Sequence, residues 1–198
     1  VFRRVLFRSL TTNAGGTTNL GGNVTTTGAQ TYNDAVILAA DAVLTSTGNA
    51  AIGFASTVND PFSLTVNTTG TTTFSGVVGG TTPLFSLTTN AGGTTHLGGD
   101  VTTTGGQNYG DELRLDVDLV LTSLASGSIA FHQRVDSAAG TNRALTVNTS
   151  GTTDFGDGGA DYVGSQDALA SLTTDDGAGD DQSGDGPLQR RRCPDHPI

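Results

Sequence analysis

Paired carboxylates are the side chains of this chain best placed to do chemistry: Asp111 beside Glu112, and Asp116 one residue from Asp118. Two acids flanking a bond are what a glycosidase uses, and a polysaccharide-cleaving β-helix enzyme would also draw on clustered acids. The chain argues against that use of them. A near copy of the same phrase lies earlier in the chain, and the four equivalent positions there hold Asp34, Ala35, Ala39 and Asp41. A catalytic pair does not recur.

His96 and His132 are the only histidines between residues 10 and 188, and His96 stands where the earlier copy has Asn19. A repeated metal or acid-base site is thereby excluded, and both are expected at the surface or in turns. The stretch GDGGADYVGSQDAL from Gly156, with DDGAGDDQSGDG from Asp175, faintly echoes the Gly and Asp nonapeptides that hold Ca²⁺ between turns of a β-roll. It lacks their period, since Gly158, Gly159, Asp161 and Val163 occur in that pattern once, and it reads as a solvated acidic linker or a damaged reading frame. Asn67-Thr68-Thr69 and Asn148-Thr149-Ser150 match glycosylation sequons, but read as turn-forming Asn closing an LTVN strand. The run GVVGGTTPL lacks the Lys and the following helix of a phosphate loop. No residue is assigned a catalytic, cofactor-binding or metal role, no cofactor is expected, and the chain is expected not to be an enzyme.

What must position these residues is a repeat. Ser9–Val36 and Ser86–Leu113 agree at 21 of 28 positions, and the phrase returns once more at Ser171 as SLTTDDGAG. Within each copy a Leu-Thr pair recurs, at Leu10, Leu44 and Leu64 and again at Leu87, Leu121 and Leu145. That step falls in the range of solenoid repeats, and about three small units per copy are expected from it.

The units read as strands. In LRLDVDLVLT, Leu113, Leu115, Val117, Leu119 and Leu121 alternate with Arg114, Asp116, Asp118 and Thr122, a period of two. The matching VILAADAVLT keeps Val36, Leu38, Ala40, Ala42 and Leu44 in the inner register. Thr runs favour extended backbone through their restricted χ1, and the Gly pairs at 15–16, 21–22, 79–80, 92–93, 98–99 and 105–106 supply turns. A unit of this size carries four or five large inward side chains, too few to offset the entropy of ordering it. Stacking units cures that, so the expected fold is all-β, a repetitive parallel β-helix or β-solenoid. The alternative is two antiparallel β-sandwich repeats, because each long copy is also close to the length of an immunoglobulin-like module.

Composition bounds the class. Leu, Ile, Val and Phe make up 45 of 198 residues, a thin core, and the net charge is −10. All nine basic residues are Arg, and only Arg114, Arg134 and Arg143 lie between residue 10 and residue 189, which disfavours nucleic acid and anionic membranes as partners. No apolar run is long enough to insert in a membrane. Residues 10–188 contain no Cys, so no disulfide framework is expected. The opening VFRRVLFRS breaks this composition, and its last eight residues back-translate to TTC AGA CGT GTG CTC TTC CGA TCT, which looks like a sequencing adapter read in frame. The expected organisation is a non-native lead-in at 1–9, a first repeat at 10–85, a second at 86–170, and at 171–198 a truncated third repeat with an anomalous tail holding Arg190–Arg192 and Cys193.

The phrases GGNVTTTGAQTYNDAVILAADAVLTST and GGDVTTTGGQNYGDELRLDVDLVLTSL resemble repeats of large bacterial surface proteins of the filamentous haemagglutinin and autotransporter adhesin type. The resemblance spans residues 9 to about 170 and implies a right-handed parallel β-helix shaft exported to the bacterial cell surface. The expected function is thus a structural shaft of a secreted or cell-surface adhesin-like protein. Its partners would be the neighbouring repeats, with host or surface glycans or proteins met by regions outside this segment. A Ca²⁺-binding extracellular module and a non-catalytic appendage of a β-helix polysaccharide-acting enzyme are the other two readings.

Overall fold

A computed structural model describes residues 7–90, 92–156 and 163–175. Most of the acidic stretch, Arg190–Arg192 and Cys193 lie outside these described residues.

The described chain winds as a three-sided solenoid of about seven turns, and its strand pairings are all parallel. The first face stacks β1 (Leu10–Thr11), β4 (Gln30–Tyr32), β7 (Ile52–Phe54), β10 (Thr71–Phe74), β12 (Thr94–Leu97), β15 (Glu112–Leu115) and β18 (Val135–Ser137). The second carries β2 (Thr17–Leu20), β5 (Ala35–Leu38) and β8 (Val58–Asn59), then β13 (Val101–Thr103), β16 (Leu119–Ser123), β19 (Ala144–Thr149) and β21 (Ser171–Thr174). The third stacks β3 (Val24–Thr26), β6 (Ala42–Ser46), β9 (Ser63–Asn67), β11 (Ser86–Thr89), β14 (Gln107–Tyr109), β17 (Ile129–Phe131) and β20 (Thr153–Phe155). Antiparallel sandwiches are ruled out, because each strand pairs with the segment one coil away and not with its sequence neighbour. The core is the prism interior, where Val36, Leu38, Leu44, Leu113, Leu115, Leu119 and Leu121 are all buried as alternation predicts. Val117 at 38% exposed and its first-copy counterpart Ala40, half-buried, are the exceptions: LRLDVDLVLT and VILAADAVLT are each not one strand but two, and Val117 and Ala40 sit at the corners between them.

The coil is shorter than the step of the Leu-Thr pairs, because those pairs do not mark one face. Leu10 lies on the first face, Leu44, Leu64 and Leu87 on the third, and Leu121 and Leu145 on the second. Among the described residues each copy spans ten strands and one bridged segment, at Val78 and Leu84 in the first copy and at Val163 in the second. Eleven segments on three faces make three and two-thirds turns, so each copy starts one face back from the last. The three SLTT strands, β1, β11 and β21, accordingly occupy three different faces.

At the eleventh segment the ladder opens. Val78 and Leu84 pair with Val101 and Thr103, two positions apart, so residues 79–83 bulge out between them. Gly79 opens the bulge at φ +72° and Gly164 opens its counterpart at +67°, a left-handed backbone that Gly alone adopts without strain. Elsewhere the coils touch through glycine. Gly127 lies so close to Gly105 and Gly106 of the preceding coil that a methyl group there would overlap their backbone. Gly127→Ala is expected to cost about 3 kcal/mol through this overpacking, read as a lowered midpoint in urea unfolding.

Phe7 and Arg8 of the lead-in follow the same path. Phe7 bridges Thr26 as Leu84 bridges Thr103, and the Arg8 carbonyl accepts from Gly28 N–H as that of Phe85 does from Gly105 N–H. The side chain does not copy the path: Phe7 is 56% exposed, whereas Leu84 is buried.

Candidate functional site

The acids that could have formed catalytic pairs are instead ties between coils. Asp111, at the corner before β15, accepts from the Gly93 amide at 2.9 Å and the Thr95 hydroxyl at 3.0 Å. Asp34 makes the same two contacts in the first copy, to Gly16 N–H at 3.0 Å and Thr18 Oγ1 at 3.3 Å. Asp118 accepts from Ala144 N–H at 3.0 Å, as Asp41 does from Ser63 N–H at 2.8 Å. Asp100 and Asn23 hold the amides of Val120 and Val43 in the same way. Each sits at a corner and binds an amide one coil away, giving that N–H a partner within the protein. Asp116 pairs with His96 Nδ1 at 3.0 Å, and Glu112 is held by Arg114 and Arg134. Asp116 and Asp118 thus lie at a corner and not on the outer face of one strand. His96 is not in a turn: it stands in β12, with Thr73 and Arg114 as rung neighbours, while His132 does fall in the turn after β17.

Burial pushes the Asp111 carboxyl above the ordinary carboxylate range, against the opposing pull of its Gly93 and Thr95 hydrogen bonds. At neutral pH the folded state therefore carries the cost of a desolvated charge, and that cost fades as pH falls through the folded pKa toward 3.8, the unfolded value. Asp111→Asn is expected to lose this gain on acidification. Plotted against pH, the melting-temperature difference between the wild type and the variant should move in favour of the wild type as pH drops from 7 toward 4.

Two buried glutamines do work that the sequence did not disclose. Gln107 Nε2 donates to Val101 O at 3.3 Å, Thr103 Oγ1 at 3.3 Å and Thr122 O at 3.0 Å, and its Oε1 accepts from the Tyr109 hydroxyl at 2.9 Å. Gln30 repeats the set with Val24, Thr26, Thr45 and Tyr32. The signal was present as Gln-x-Tyr at the same place in both copies. The middle threonines of the two sequon matches are committed as well: Thr68 Oγ1 donates to Ala50 O and Thr149 Oγ1 to Gly127 O, each 2.7 Å and one coil back. Asn67 closes β9 as read, while Asn148 lies one position inside the end of β19.

Among the described residues no three His, Cys, Asp or Glu side chains are grouped to hold a metal ion, and no helix is long and apolar enough to cross a membrane. No family model, curated protein or solved structure matches this chain. The geometry is that of a scaffold: the polar groups that recur in register fasten one coil to the next.

Proposed function

We propose that this chain is a structural shaft segment of a secreted or cell-surface bacterial adhesin-like protein, performing no catalysis of its own and spacing adhesive regions carried elsewhere. One observation carries the reading. In both copies the recurring acids and amides, Asp34 with Asp111, Asp41 with Asp118 and Gln30 with Gln107, are committed to hydrogen bonds with the backbone of the solenoid itself. A repeated active site would keep its recurring groups free and grouped. A Cys-free, Lys-free acidic body also suits passage through an oxidising compartment.

The test is antibody labelling of the source cells together with the sequence of the whole gene. Antibodies against this chain are expected to label intact cells, and the gene to contain many further SLTT copies with an export signal. Labelling only after permeabilisation overturns the reading. A gene in which the copies adjoin a domain of clustered acids makes them an enzyme's appendage instead. The Ca²⁺-module reading has its own discriminator. Because Asp34, Asp41, Asp100, Asp111 and Asp118 already hold backbone amides, excess EDTA is expected to leave the thermal midpoint unchanged, whereas a Ca²⁺-dependent roll would melt.

A further inference from the structure

Five positions that are neutral in the first copy are charged in the second, and they form one connected cluster. Ala35, Ile37, Thr57, Asn59 and Thr82 become Glu112, Arg114, Arg134, Asp136 and Asp167. Arg114 bonds Glu112 and Asp167, each at 2.8 Å, and reaches Gln166 Oε1 at 3.3 Å, while Arg134 holds the other oxygen of Glu112. Asp136, fully buried, accepts from Gln166 N–H at 3.1 Å through Oδ1. Its Oδ2 has no hydrogen-bond partner among the described residues. Gln166 and Asp167 belong to the second bulge, so the cluster straps that bulge onto the first face.

The backbone bracing of the two bulges is the same. Gly79 N–H donates to Val58 O and Gly164 N–H to Val135 O; Asp60 N–H donates to Thr82 O and Ser137 N–H to Asp167 O. Asn59 Oδ1 accepts from Thr81 N–H at 3.0 Å where Asp136 accepts from Gln166. What differs is the side chains around this frame. The rung of Phe62 and Phe85 in the first copy becomes Arg143 and Ala170 in the second, joined by the same backbone bond. The second copy thus has less apolar surface flanking the strap and more charge within it.

We propose that the second copy carries an ionic clasp, with Arg114 at its centre, that holds the bulge at 164–168 closed and thereby seats β21, the first strand of the following copy. In the first copy the same task falls to neutral Asn59, whose Oδ1 accepts from the amides of Thr81 and Thr82. Arg114 is the rung neighbour of Asp136 and the cation whose field reaches its buried carboxylate. Once it is removed, Arg134 stays committed to Glu112, Asp136 loses the cation on its rung, and opening the bulge hydrates it. The clasp does not depend on where the protein is located or on what it adheres to.

The test is amide exchange on the full chain, with the first bulge as internal reference. In Arg114→Gln the amides of Gln166, Ala170 and Leu172 are expected to exchange at least about tenfold faster, while those of Gly79, Thr81 and Phe85 stay as in the wild type. Adding Asp136→Asn, the first-copy residue, is expected to restore protection to within about threefold, because the charge that needed hydrating is gone. Unchanged exchange in Arg114→Gln overturns the proposal. So does equal loosening of both bulges, which would mark a general loss of stability, and so does failure of Asp136→Asn to restore protection.

Discussion

Phe54→Ala is expected to lower unfolding stability by about 3 to 5 kcal/mol, with Phe131→Ala costing a similar amount and the two adding. Phe54 is the middle ring of a column, 5.1 Å from Tyr32 and 4.8 Å from Phe74, with the rings nearly parallel. Phe131 is the middle ring of its counterpart, 5.4 Å from Tyr109 and 4.9 Å from Phe155. Truncating either removes a fully enclosed ring and two stacking contacts, and coils held rigidly at the strand spacing cannot collapse to fill the gap. Additivity comes from the phase of the repeat. The first column ends at Phe74, whose next rung neighbour is Leu97, and the second begins on the third face, so the two columns do not touch. Urea unfolding of both single variants and the double one measures this. A coupling well above about 0.5 kcal/mol would mean that the columns communicate through the core.

The same phase decides what the outside of the shaft presents. On the third face, Thr65 and Thr88 run in register into Asn108, Ala130 and Asp154. The second copy's own version of that Thr row, Thr146 with Thr173, lies on the second face. No side therefore carries one outer surface through both copies. A repeat of twelve segments would have aligned them.

Strand class and inner register were legible because burial in a thin prism forces strict alternation, and Leu113 to Leu121 had to obey it. Turn count was not. The corners are short and keep the period-two pattern running, so two strands meeting at Asp116–Asp118 look like one, and the bend shows only in the exposure of Val117 and the incomplete burial of its counterpart Ala40. The Leu-Thr pairs mislead for a related reason: they mark the commonest strand phrase, which recurs on whichever face comes next. The failure of the acids to recur as pairs was plain in the sequence, but the role of those at 34, 41, 111 and 118 was invisible there. Each bonds an amide that is distant along the chain and adjacent only after coiling.

Gln107 offers the sharpest test of whether these inner ties hold the fold or only fill it. Gln107→Leu keeps the volume, yet strips a donor from the carbonyls of Val101 and Thr122 and leaves the Tyr109 hydroxyl aimed at a methyl group. Tyr109 is fully enclosed, and burial already pushes its phenol pKa upward, so the hydroxyl has neither water nor ionisation as an alternative. The expected cost is about 2 to 4 kcal/mol, most of it from unsatisfied polar groups and little of it from lost packing. An inversion should follow. Gln107→Leu combined with Tyr109→Phe removes the stranded hydroxyl and should be more stable than Gln107→Leu alone by about 1 to 2 kcal/mol, although it carries one more substitution. If the double variant instead falls below the single one, the Tyr109 hydroxyl still stabilises the core without Gln107, because Tyr109→Phe leaves the ring stacked on Phe131, and Gln107 acts on the carbonyls alone. The same pair of measurements on Gln30 and Tyr32, three and two-thirds turns earlier and on a different face, should give the same sign if the tie belongs to the repeat and not to its place in the shaft.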